Sequence, residues 1–98
     1  MTDLKTLREQ LTEVDMKIID LIHQRQSLSK NIGSIKRKAG KPTRDFMREK
    51  QVLELATSHA EKLNMEPDVI VDVMQLLIKS SLKTQEKARV QAEGQGSG

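Results

Sequence analysis

The chain has 98 residues, of which 36% are apolar and 32% are charged, and its net charge at pH 7 is +3; this allows one domain with a modest core and the balance of an ordinary soluble protein. Cysteine is absent and histidine occurs twice, which excludes disulfides and thiolate metal sites and disfavours a dedicated metal cage. The single aromatic residue and the interspersed charges disfavour nucleic-acid binding, because the stacking platforms for bases are missing.

The first predicted element is a helix from Leu4 to Ala39. Its apolar residues follow one another at alternating spacings of three and four, which is the period of a helical seam. Thr2 and Asp3 are candidate caps at the start, and Gly40 follows the end. We call this line of residues the seam, and it comprises Leu4, Leu7, Leu11, Val14, Ile18, Leu21, Arg25, Leu28, Ile32, Ile35 and Ala39.

The length of this helix predicts an oligomer. About 36 residues in a helix span roughly 54 Å, whereas a compact domain of this size has a radius of gyration of about 13 Å. One chain cannot cover such a rod, and the simplest partner for the seam is a second copy of itself. We therefore expect an all-α chain of three helices that forms an intertwined antiparallel homodimer.

Two shorter helices follow in the prediction. Thr43 is a candidate cap for the second helix, which ends at about Asn64. The third begins at Pro67, and its apolar period fades from about Ala88. Residues 1–90 are therefore predicted to form the helical domain, and residues 91–98 a flexible tail or linker. The stripe of the second helix consists of Phe46, Glu49, Leu53, Ala56, Ala60 and Leu63, and that of the third of Ile70, Met74, Leu77, Ser81 and Gln85.

Polar residues interrupt the apolar stripe of every helix. A buried guanidinium at Arg25 costs several kcal/mol unless an anion meets it. One interpretation is a structural ion pair between Arg25 and Glu49 that sets the register of the bundle. The polar set contains more cations than one ion pair needs, and this excess favours a small anionic ligand. The polar set consists of Arg25 and Lys36 on the first helix, Asp45, Arg48 and Glu49 on the second, and Ser81 and Gln85 on the third.

The chain lacks a Ser/His/Asp set, a thiol, a glycine-rich phosphate loop and a metal cluster, so positioning and electrostatic stabilisation are the chemistry that remains. At this point the sequence resembles the all-helical chorismate mutases of the AroQ class over nearly its whole length. The residues that carry the resemblance are Leu7, Arg8, Glu9, Asp15, Arg25, Lys36, Arg44, Asp45, Arg48, Glu49, Ser81 and Gln85.

The resemblance implies a fold and an activity. Family members are intertwined dimers of three-helix chains with two equivalent active sites. They are isomerases that convert chorismate to prephenate in phenylalanine and tyrosine biosynthesis, by a one-step Claisen rearrangement without cofactor, metal or covalent intermediate. We therefore expect a chorismate mutase that has no cofactor, and whose partners are chorismate and a second copy of the chain.

The resemblance also implies residue roles. Arg25 and Arg8 hold the two substrate carboxylates, and Arg8 comes from the other subunit. Within one helix these two residues lie about 25 Å apart along the axis and about 100° around it, so one small ligand cannot meet both. Lys36 and Gln85 donate to the ether oxygen, where negative charge builds as the bond breaks.

The remaining implied roles concern the ring and the walls of the site. Glu49 accepts a hydrogen bond from the ring hydroxyl, and Ser81 assists at a carboxylate. Arg44 is left open between a surface residue of the loop and a site residue. The other implied contacts are Asp45 and Arg48 beside Glu49, and Ile32 and Ile78 as apolar walls.

Two rival functions remain. An isochorismate pyruvate lyase on the same fold shares the basic carboxylate-binding residues. A non-catalytic helical dimerisation module would keep the scaffold without turnover. No apolar run resembles a signal peptide or reaches membrane-spanning length, so a cytoplasmic location is expected.

Overall fold

The computed structural model describes residues 3–96, and these residues form three α-helices and no strand. The helices are α1 (Leu4–Lys38), α2 (Phe46–Lys62) and α3 (Pro67–Gly96). The predicted all-α fold with one very long first helix is confirmed. In the part of the chain that the structure describes, no helix is long and apolar enough to span a membrane.

Both ends of α1 follow from its sequence. The Asp3 carboxylate accepts a hydrogen bond from the Thr6 backbone N–H at 2.8 Å, and this bond lowers the pKa of Asp3. At the other end Ala39 is the C-cap. Gly40 then adopts a φ of 68°, a left-handed conformation that glycine adopts without steric cost. The predicted bounds of this helix are therefore confirmed to within one residue, while Thr2 lies outside the described residues.

The predicted cap of α2 is wrong. Asp45, and not Thr43, is the N-cap, and its carboxylate accepts from the Arg48 backbone N–H at 3.0 Å. The Thr43 hydroxyl instead donates to Glu86 on α3. At the other end Asn64 has a φ of 57° and follows the C-cap, as a helix-ending asparagine does.

The third helix begins at Pro67 as predicted, and it continues past Ala88, where the apolar period fades, to Gly96. The residues after Ala88 include Arg89 and Ala92, which are strong helix formers. Arg89 also donates a hydrogen bond to the Lys41 carbonyl, which ties this part of α3 to the loop after α1. The assignment of residues 91–98 as a tail or linker stays a prediction, and residues 97 and 98 lie outside the described residues.

The helices α1 and α2 both pack on α3, and the first and third run side by side in the same direction. Hydrogen bonds mark this register: Arg25 donates to the Leu77 carbonyl, and farther along Lys36 donates to Gln85. The described part of the chain measures 64 × 28 × 15 Å with a radius of gyration of 17.5 Å. It is therefore far more extended than the roughly 13 Å expected for a compact domain of this length.

Apart from Arg25, the seam of α1 does not pack on α3. Leu11 is 60% exposed and Ile35 is 66% exposed. The face that meets α3 consists of Arg25, Ser29, Gly33 and Lys36, which we call the inner line. Its members Ser29, Gly33 and Lys36 each follow a seam residue by one position, about 100° around the helix. The predicted seam exists, but within one chain nothing buries it.

Candidate active site

One cavity of about 430 Å³ lies between the three helices. Every predicted site residue except Arg8 lines it, although the residues come from distant parts of the sequence. The inner line of α1 forms one wall, the first turn of α2 a second and the middle of α3 a third. The predicted residues at the cavity are Arg25, Ile32, Lys36, Asp45, Arg48, Glu49, Ile78, Ser81 and Gln85.

Lys36 and Gln85 are in direct contact at this cavity. The Lys36 ammonium donates to Gln85 Oε1 at 2.8 Å and to the Thr43 carbonyl at 2.7 Å. Gln85 is buried, and its Nε2 donates to the Ser81 hydroxyl at 3.2 Å. That hydroxyl shares a hydrogen bond of 2.5 Å with the buried hydroxyl of Ser29. The network holds a charged donor group of α1 next to a neutral donor group of α3, where these two walls meet.

Arg25 does not form the structural ion pair with Glu49 that the sequence left open. Its Nη1 donates to the Leu77 carbonyl at 2.9 Å. Burial, and then the nearby charge of Arg48, lower the pKa of Arg25. The Arg25 guanidinium is partly withdrawn from water and lies near another cation, and no carboxylate compensates its charge.

Glu49 is paired with Arg44 instead. Arg44 Nε donates to Glu49 Oε2 and Arg44 Nη2 to Glu49 Oε1, both at 3.1 Å, in a bidentate ion pair. The Arg44 guanidinium also lies 4.4 Å from the centre of the Phe46 ring. Arg44 is thus an exposed residue that does not line the cavity but forms an ion pair with Glu49, which does.

The charges at the cavity do not balance. Among the described residues Arg44 and Glu49 form the one ion pair, and the Asp45 carboxylate accepts from the start of α2. Arg25, Lys36 and Arg48 therefore line the cavity without a carboxylate in ion-pair contact. Such a site favours a small ligand that carries more than one negative charge.

The sequence analysis missed several residues of this site. Ser29 and Gly33 lie four and eight positions after Arg25, so a line of small residues between Arg25 and Lys36 was a usable signal for a close helix contact. Thr43 was interpreted as a cap and lines the cavity. The lining residues outside the prediction are Leu28, Ser29, Thr43, Val52 and Leu82.

Arg8 is the predicted residue that the structure leaves apart. It lies in the first half of α1, where all described side chains are exposed. It is not among the residues that line the cavity of its own chain. Its predicted contact with a substrate therefore requires a second chain.

Comparison with known proteins gives a family and several relatives. The family model of chorismate mutase type II matches residues 7–86. A chorismate mutase of Methanocaldococcus jannaschii is 30% identical over 84 residues, which cover 86% of this chain and 85% of that protein. A bifunctional chorismate mutase/prephenate dehydratase of Buchnera aphidicola subsp. Schizaphis graminum is 36% identical over 85 residues, 87% of this chain. The T-protein of Enterobacter agglomerans is 32% identical over 81 residues, 83% of this chain. The chain spans 22% of the length of each of these last two relatives.

Proposed function

The chain belongs to the chorismate mutase type II family, and from this premise we propose that it is an isomerase that rearranges chorismate to prephenate. In this reaction the ether C–O bond breaks as a new C–C bond forms within one molecule, so no group is transferred to the protein. The observation that carries the proposal is the cavity lined by Arg25, Lys36 and Arg48 beside the buried amide of Gln85. A dicarboxylate with a polarised ether suits this set of cations and donors.

We assign the stabilisation of the transition state to Lys36 and Gln85. As the C–O bond breaks, negative charge builds on the ether oxygen, and donors at that atom stabilise the transition state more than the ground state. The 2.8 Å hydrogen bond between these side chains holds them next to each other in the cavity before substrate binds. Such preorganisation avoids the cost of reorienting them during the reaction.

The substrate carboxylates are assigned to arginines. Arg25 holds one carboxylate, because its guanidinium lines the cavity and is partly buried. Arg8 of a partner subunit holds the other. The exposed seam supports this arrangement, since a second copy that packs antiparallel on it buries the apolar residues and brings its own Arg8 toward the cavity.

The remaining residues set the conformation of the substrate. Glu49 accepts a hydrogen bond from the ring hydroxyl, which requires Arg44 to share or release its ion pair with this carboxylate. Ser81 assists at a carboxylate through a hydroxyl that already lies in the network with Gln85. The other contacts are Asp45 and Arg48 near the ring, and Ile32 and Ile78 as apolar walls that favour the compact reactive conformer.

The proposal also covers the oligomeric state and the cellular location of the protein. The protein acts as a homodimer with two sites, each completed by Arg8 of the other copy, in the cytoplasm and without a cofactor. Sedimentation at micromolar concentration tests the assembly: a dimer is expected, and an 11.1 kDa monomer contradicts it.

The activity is tested by following the near-ultraviolet absorbance of chorismate with purified protein and no added metal or cofactor. Arg25→Ala is expected to lower kcat/KM by about 10- to 10²-fold, since hydrogen bonds to charged groups contribute about 1.5–3 kcal/mol. The matched control is Lys30→Ala, which removes an exposed cation from the same helix. A folded dimer that does not turn over chorismate overturns the proposal, and isochorismate then tests the lyase activity.

A further inference from the structure

The loop between α1 and α2, residues 39–45, is tied to α3 by two hydrogen bonds that the sequence analysis did not foresee. The Thr43 hydroxyl donates to Glu86 Oε2 at 2.7 Å. The Arg89 guanidinium donates to the Lys41 carbonyl. We call these two bonds the loop clasp. They hold the loop against the part of α3 that directly follows Gln85.

The loop clasp acts on the residue that orients Lys36. The ammonium of Lys36 donates to the Thr43 carbonyl at 2.7 Å and to Gln85 Oε1 at 2.8 Å. One acceptor therefore belongs to the loop and the other to α3. Because Thr43 also binds Glu86, the neighbour of Gln85, the distance between these two acceptors depends on the clasp.

An ammonium group has three N–H bonds and sits on a flexible four-carbon stem. Two of the three N–H bonds of Lys36 go to the Thr43 carbonyl and to Gln85, so the direction of the third is set by where these acceptors lie. If the Thr43 carbonyl moves, the Lys36 ammonium either moves with it or loses this hydrogen bond. In either case the donor for the ligand changes direction.

We propose that Thr43 and Glu86 are positioning residues: their side-chain hydrogen bond fixes the Thr43 carbonyl, which aims the Lys36 ammonium at the ether oxygen of the substrate. The proposal rests on the proposed function of Lys36. It adds a pair of residues that act through Lys36 rather than on the substrate, and it assigns the loop a role in the rate of the chemical step rather than in binding.

The test compares substitutions that remove the hydrogen bond with substitutions that keep it. Thr43→Val and Glu86→Leu remove it and are expected to lower kcat about tenfold with little change in KM, because a small misplacement of a transition-state donor affects the rate most. Thr43→Ser keeps the donor hydroxyl and Glu86→Gln keeps an acceptor oxygen. Both variants are expected to retain most of the wild-type kcat. The off-site control is Thr57→Val on α2, which makes the same change away from the cavity.

A second comparison separates positioning from stability. In a Lys36→Met background, Thr43→Val is expected to lower the rate no further, because no ammonium remains to be aimed. Equal losses in both backgrounds, or a wild-type kcat in Thr43→Val, overturn the proposal. Thermal unfolding of Thr43→Val is expected to match that of the wild type, since a solvent-exposed hydrogen bond contributes little to the free energy of unfolding.

A third measurement does not depend on turnover. The 15N signal of the Lys36 ammonium is expected to be visible in wild type and Thr43→Ser, where hydrogen bonds slow its proton exchange, and to be weakened in Thr43→Val. An unchanged signal in Thr43→Val overturns the clasp even if chorismate is rearranged. A weakened signal in a protein that does not rearrange chorismate supports the clasp while the proposed function fails.

Discussion

Two neighbouring lines of side chains on α1 have opposite surroundings. Apart from Arg25, which belongs to both lines, the seam is apolar and exposed, with Leu11 at 60% and Ile35 at 66% exposure. The inner line is small or polar and faces α3, and its Ser29 is 4% exposed. Within one chain the apolar line therefore stays exposed, while the small residues of the neighbouring line let α1 and α3 approach closely.

The close approach has a measurable cause at Gly33. A Cβ atom added to this residue would lie 2.9 Å from Gln85 Cα and 3.1 Å from the Gln85 carbonyl oxygen. Backbone atoms cannot move aside as the end of a side chain can, so the spacing of α1 and α3 depends on this glycine. The apolar side chains of the seam are too large for such a spacing, which is why they face outward and remain available to a second copy.

The largest expected effect comes from breaking the seam. Leu11→Asp places a charge in the proposed interface between copies, and burying an unpaired carboxylate there costs several kcal/mol. We expect a monomer by sedimentation and a loss of turnover of about 10²-fold or more at micromolar concentration, because each site then lacks Arg8 of its partner. Gln10→Asp adds the same charge on another face and is expected to remain dimeric. A dimeric, active Leu11→Asp protein contradicts the assignment of the seam.

The next effect comes from the inner line. Lys36→Ala removes the charged donor at the cavity and is expected to lower kcat by about 10²-fold, the usual loss for one such donor. The dimer is expected to persist. The experiment would then distinguish the inner line, which affects the rate, from the seam, which affects assembly. Lys38→Ala, two positions later and exposed, is the matched control. A wild-type kcat in Lys36→Ala removes this residue from the chemistry.

A smaller effect tests the spacing of the helices. Gly33→Ala has two opposing consequences, since alanine is favoured over glycine within a helix by about 1 kcal/mol, whereas its methyl group meets the backbone at Gln85. We expect the steric effect to dominate and to lower kcat about tenfold by moving Gln85 away from Lys36. Ser34→Ala, the next position along α1, is the control. A higher Tm with unchanged kcat would show that the close approach is dispensable.

The smallest effect concerns pH. Gln85 is an amide and does not titrate, so no protonation of this donor is required for the reaction. We expect kcat to be nearly flat from about pH 5 to about pH 8. Gln85→Glu replaces the amide with a carboxyl and is expected to make kcat fall as pH rises, because only the protonated carboxyl donates a hydrogen bond. A steep loss near neutral pH in the wild type contradicts this assignment.

The helices and most of their ends were predictable because their signals are local. The period of three and four residues, Gly40 after α1, Asn64 after α2 and Pro67 at the start of α3 all act within a few residues of the chain. The single wrong cap, Thr43, shows the limit of this approach. Its hydroxyl binds Glu86, 43 residues away, and no local rule includes that partner.

The sequence predicted most of the residues that line the cavity, but not the contacts that they make. Polar residues within apolar stripes marked the side chains that line the cavity, because such residues need a partner or a ligand there. Which partner each one has depends on tertiary structure. Arg25 binds the Leu77 carbonyl, whereas Glu49 binds Arg44, so the ion pair that the sequence allowed between Arg25 and Glu49 does not form.

By itself, the sequence determined three amphipathic helices, a first helix too long for one chain to cover, and a set of cations in excess of their carboxylates. Only the tertiary structure decided that α3 packs on the inner line rather than on the seam. The physical reason is that helical periodicity depends on neighbours within a turn or two. The approach of two helices depends instead on the smallest residues that happen to meet, here Gly33 and the backbone of Gln85.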